Sequence, residues 1–135
     1  MKATLLLAES ATVHPDGTFS VLRAGITHIW GTPSPVVPFR GALVFRIEAT
    51  AVDEGQHEFD LRCIDIDGTQ VGPTLQGQFQ APKGGGVNNV ILNTSLGFPK
   101  HGRFSFVARI DKVERDQWTL VVGDKPPQRR EETKA

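Results

Sequence analysis

Disulfide cross-linking is closed to this chain, because its 135 residues contain a single cysteine, Cys63. The fold must therefore be held by burial and hydrogen bonds, and one unpaired cysteine suits a reducing compartment, so a cytoplasmic location is expected. An excess of either charge is also missing. Fifteen basic residues stand against fifteen acidic ones, which leaves no electrostatic footprint of a nucleic-acid binder or a membrane-surface protein. No apolar run approaches the roughly 18 residues that a spanning helix needs. The opening MKATLLLAE holds an apolar run of only about six residues, below the roughly 7–15 of a signal-peptide core, and reads as a strand. Neither nucleic acid nor membrane is an expected partner. Tyrosine is absent, and two Trp and eight Phe make up the aromatics, a set poor in the amphipathic rings that favour sugar platforms. No sustained i, i+3, i+4, i+7 apolar stripe occurs, so helix is confined to a turn or two, best placed at Asp111 to Asp116.

Turn formers are plentiful instead, with 14 glycines and 9 prolines. They punctuate short runs of period-2 alternation, the mark of strands with one packed face and one wet face. In Gly41 to Thr50, Leu43, Phe45, Ile47 and Ala49 share a face, with Val44 on the other. Phe59, Leu61 and Cys63 alternate in His57 to Cys63, and Phe104, Phe106, Ala108 and Ile110 in Arg103 to Ile110. Further strands are expected over Ala3 to Val13, Phe19 to Ile29 with a bulge at Gly25, Leu75 to Gln80, Asn88 to Leu96 and Gln117 to Val122. Pro15-Asp16-Gly17, Asp67-Gly68 and Lys83-Gly84-Gly85-Gly86 supply turns between them. About eight antiparallel strands with no obligatory helix must pack sheet on sheet, giving an all-β sandwich of immunoglobulin-like or jelly-roll type. Residues 1–123 form one domain. Asp124 to Ala135 (DKPPQRREETKA) has no large apolar side chain and is expected to be a disordered tail.

The stretches LLLAESATVHPDGTFSVLRAGITHI, QHEFDLRCIDIDG, FPKHGRFSFVARID and WTLVV together resemble a bacterial family of small uncharacterised proteins, a domain of unknown function. Its pattern pairs an N-terminal hairpin with a late strand launched by a glycine, here Gly102, and the likeness spans residues 5 to 122. The resemblance implies an immunoglobulin-like β-sandwich and assigns no site residue.

Catalytic chemistry finds little to stand on. Asp65 and Asp67 lie two apart beside Gly68, but a calcium loop needs further acidic positions, and Pro73 and Thr74 stand where its late glutamate would be. His14, His28, His57 and His101 show no ligand spacing. Ser20, Ser34 and Ser95 lie outside any nucleophile motif, and Cys63 alternates with core residues as an inert thiol would. The triple glycine lacks the Lys-Ser/Thr ending of a phosphate loop. No catalytic, metal or cofactor site is expected, and the chain reads as a non-enzyme.

The sharpest functional signal is HIWGTPSPVVPF, His28 to Phe39, which is apolar and proline-rich together. Prolines cannot donate to a sheet, so Trp30, Val36, Val37 and Phe39 are expected on a loop or rim as a partner-binding patch, the alternative being that Trp30 and Phe39 cap one end of the sandwich core. Trp118 reads as a core residue opening the last strand. The function that follows is a protein-binding or assembly module, its partner another protein or a second copy, met through this loop or an exposed sheet edge. One alternative is a small-ligand or carbohydrate-binding sandwich using Gln76, Gln78 and Gln80. Another is a metal-assisted hydrolase built on histidine and aspartate.

Overall fold

Alternating side chains build nine strands among the described residues, where about eight were expected. The structure is a computed structural model that describes residues 1–124, so the expected tail, Asp124 apart, lies outside the described residues. The strands are β1 (Lys2–Val13), β2 (Phe19–Ala24), β3 (His28–Trp30), β4 (Val37–Thr50), β5 (Gly55–Asp65), β6 (Gln70–Ala81), β7 (Gly85–Phe98), β8 (Gly102–Ile110) and β9 (Val113–Gly123). They form a four-stranded sheet, β2-β1-β4-β7, and a five-stranded sheet, β3-β9-β8-β5-β6. The chain is thus an all-β, two-sheet sandwich.

The core lies between the sheets and is filled by the faces the alternation assigned to it. Leu43, Phe45 and Ile47 of β4 are fully buried, as are Phe104 and Ile110 of β8, with Phe59 of β5 and Phe106 of β8 nearly so. Phe98 of β7 meets Phe104 of β8 at 4.7 Å between ring centres and a 55° tilt, an edge-on contact that joins the sheets. Phe59 fills the space beneath Gly77 of β6, where an added Cβ would stand 2.7 Å from its ring. Along one side the sandwich is tied by the Leu5 N–H, which donates to the Asp116 carboxylate of β9 at 2.7 Å. Trp118 packs half-buried against the core, and its indole N–H donates to the Ile26 carbonyl at 2.6 Å.

Four local expectations are corrected. Gly25 is not a bulge in a continuous strand. Its φ of +88° turns the chain out of the four-stranded sheet, and β3 then joins the other sheet parallel to β9, with His28 opposite Val121 and Trp30 opposite Gly123. Asp111 to Asp116 is not helical, because Asp111 and Lys112 both take positive φ, the conformation of a tight hairpin turn matched to strand twist. The only helical piece among the described residues is a single 3₁₀ turn, Ala51–Asp53. Val44 faces outward as expected yet is buried, since Leu6 and Ile91 flank it across β1 and β7. The glycine loop is shorter than its sequence suggests, with β7 already under way at Gly85.

Candidate functional site

The apolar proline-rich segment divides where the chain passes from β3 to β4. Val37 is corrected from loop or rim to core, and Phe39 takes its core alternative, at 3% and 9% exposure. Both point inward from β4 and pair with Phe98 and Leu96 of β7. Pro38 between them is tolerated because β1 pairs with β4 only from Ala42 onward, so no ladder on that side needs its missing N–H. Trp30 and Val36 keep partial exposure, each at 37%. Trp30 stacks on His28 at 5.4 Å and covers Gly123, while Val36 covers Gly97 of β7. His101 fixes the crossover by donating from Nε2 to the Gly31 carbonyl at 2.6 Å. Beside Trp30, a groove of about 660 Å³ runs past Ile26 and Phe39 to Arg23, Arg40 and Glu9.

A second groove, about 640 Å³, lies on the outer face of the five-stranded sheet. Gln76 and Gln78 line it together with Asp60, Arg62 and Thr74, whereas Gln80 does not. Asp60 is held by a two-pronged contact from Arg109, at 2.9 Å on each prong. Arg62 reaches the same carboxylate only at 3.7 Å, and its Nε is buried without a partner.

Several of the candidate ligating and nucleophilic groups are occupied with structure. Asp65 accepts from the Asp67 and Thr69 amides at 2.9 Å each and pairs with Lys100 at 3.3 Å. Those amide bonds, Thr69's foremost, hold its carboxyl below the usual range. His57 donates from Nδ1 to Asp111 and from Nε2 to the Asp53 carbonyl, both at 2.6 Å. Bonding to Asp111 raises its pKa, opposed by burial. His14 meets Ser20 at 2.7 Å on the exposed first hairpin, a pair that sequence spacing did not suggest, and no carboxylate bonds to His14 among the described residues. Burial pushes the Cys63 thiol up to about 12. Among the described residues no three of His, Cys, Asp and Glu converge as a metal cluster would require.

The feature that sequence reasoning passed over is the edge of the four-stranded sheet. Strand β7, GGVNNVILNTSLGF, carries no charged residue and no proline over 14 residues. It pairs with β4 without a break from Gly85 to Phe98, and among the described residues no strand pairs with its other edge, although the Asn88 amide reaches the Gln80 carbonyl of β6 at 3.4 Å. Natural edges are usually short, charged, bulged or interrupted by proline. The other edges here follow that rule: β3 has three residues, β2 has six with Arg23, and β6 carries Pro73. Strand β7 also holds two buried side-chain atoms without a hydrogen-bond partner among the described residues, Asn88 Oδ1 and Asn89 Oδ1. The signal was present in the chain as a charge-free run between Lys83 and Lys100.

Residues 3–123 match the family of unknown function DUF6941, and the chain belongs to that family. No curated protein matches it, and no solved structure does.

Proposed function

We propose that this DUF6941 protein is a non-enzymatic binding and assembly module that joins another protein chain by strand addition along β7. One observation carries the reading: a 14-residue edge strand with neither charge nor proline, which presents a row of unpaired backbone donors and acceptors to any extended segment. Of the proline-rich segment, Val36 rests on Gly97 near the end of β7 and lengthens the surface, whereas Trp30 lies on β3, an edge strand of the other sheet. A cytoplasmic setting suits the buried free thiol of Cys63. Asp65 is engaged in a turn, His57 in a pair with Asp111 and Cys63 in the core, which favours a non-enzymatic reading.

A photo-crosslinking residue placed at Val87 or at Asn93, both exposed on β7, tests this in cells. Adducts from both positions are expected on a single partner strand in ordered spacing, with none from Thr119 on the outer face of β9. Absence of protein adducts from either β7 position overturns the reading.

The groove over Asp60, Arg62, Gln76 and Gln78 favours a second reading, a small polar ligand held by amides and a guanidinium. Glycan and metabolite screening that shifts the melting temperature of the protein, and loses the shift in Gln76→Ala, would support it. The metal-assisted hydrolase gains no observation.

A further inference from the structure

We propose that the chain that β7 takes up is the β7 of a second copy, running antiparallel about a two-fold axis at Ile91. This rests on the strand-addition reading and names its partner.

The residues of β7 divide between two faces. Leu92 pairs with the inward Leu43 of β4, and Ile91 with the outward Val44, so even-numbered β7 residues face the core and odd-numbered ones face outward. For two four-stranded sheets to join into one, outward residues must oppose outward residues, which requires the axis to pass through a residue. Ile91 stands near the middle of the strand, and the sequence is close to palindromic about it. In that register Val90 faces the partner's Leu92, Asn89 the partner's Asn93, and Asn88 the partner's Thr94, with Gly85 opposite the partner's Gly97. Apolar side chains meet apolar ones and amides meet amides.

Opposed pairs stand about 4.5–5.5 Å apart between Cβ atoms, within amide reach. The exposed Asn93 amide then lies opposite the Asn89 side chain of the second copy. An uncharged strand meets its own copy without the like-charge opposition that separates most edges. Lys83 and Lys100 lie just beyond the paired strand, and Lys100 is already paired with Asp65. Pro73 in β6 and the positive φ of Gly72 bar the neighbouring edge of the five-stranded sheet from doing the same. The result is one continuous sheet in the order β2-β1-β4-β7 followed by its mirror sequence in the second copy.

Sedimentation or light scattering on the purified chain, over a dilution series, is expected to show a species of twice the chain mass. Asn89→Lys with Asn93→Lys places like charges opposite each other on both sides of the axis and should give monomer. Asn89→Asp with Asn93→Asp should do the same, and an equal mixture of the two variants should restore the doubled mass. Circular dichroism checks that both fold. If the Asn89 changes disturb folding, Val87→Lys with Ser95→Lys against Val87→Asp with Ser95→Asp repeats the test at the next opposed outward pair. A wild-type chain monomeric at every concentration overturns self-pairing, while crosslinks from β7 to a different protein would still uphold strand addition. A dimer that survives the lysine variants overturns the surface, and a mixture that stays monomeric overturns the register.

Discussion

The ring of Trp30 occupies the space above Gly123 that a side chain would fill, and a Cβ there would stand 2.7 Å from the ring. The two residues are opposed across the parallel β3–β9 pair, so the contact fastens the short third strand to the long ninth. Gly123→Ala should displace the indole and destabilise the fold by about 1–3 kcal/mol, the usual range for overpacking. Urea unfolding followed by tryptophan fluorescence reads both effects; an unchanged midpoint would show that the ring moves aside freely.

Burial separates Phe39 from Trp30, though the sequence presents them as one patch. Phe39→Ser should unfold the domain or cost about 3–5 kcal/mol, as Phe106→Ala should, because each empties a site in a closed core. Trp30→Ser should cost less, since the ring keeps part of its surface in water. Equal losses from Phe39→Ser and Trp30→Ser in denaturant titrations would contradict this division.

Much of the sandwich was legible because alternation reports directly on which face of a strand is packed. Phe59, Leu61 and Cys63, or Phe104, Phe106 and Ala108, needed no knowledge of their neighbours. The misjudged burials depend on neighbours. Val44 is covered only because Leu6 and Ile91 come beside it, and Val37 and Phe39 are buried because β4 starts earlier than its prolines suggest. The candidate site escaped for the same reason. Whether Gly85–Phe98 lies at an edge is a property of strand order, and strand order between non-consecutive strands is not written in any local pattern.

Protonation of His57 should stabilise the fold. Its pKa is raised from 6.5, first by the bond to Asp111, so the contribution is complete below the unfolded value and fades as pH rises through the folded one. Asp111 is lowered from 3.8, first by the same bond, so its contribution is present above that value and fades as pH falls through the folded one. The pair is worth most between those limits. Melting temperatures measured from about pH 5 to about pH 8 should fall across the upper half of that range, and Asp111→Asn should flatten the fall. A wild-type profile no steeper than that of the variant would remove His57 from the explanation.

Cys63 should react only when the protein opens. It is buried beside Leu61 and Phe106, and burial, with a smaller contribution from the Asp65 charge, pushes its thiol up to about 12. At neutral pH the thiolate that attacks an alkylating agent is therefore nearly absent, and the agent has no path to the sulfur. Labelling by iodoacetamide should be undetectable in the native protein and should appear in step with unfolding along a urea titration. Raising the pH by one or two units under native conditions should change little, because the thiol remains protonated there. Rapid native labelling would mean that β5 and β6 part locally at the Leu61–Cys63 register shift, and the thiol would then report on that opening rather than on global stability.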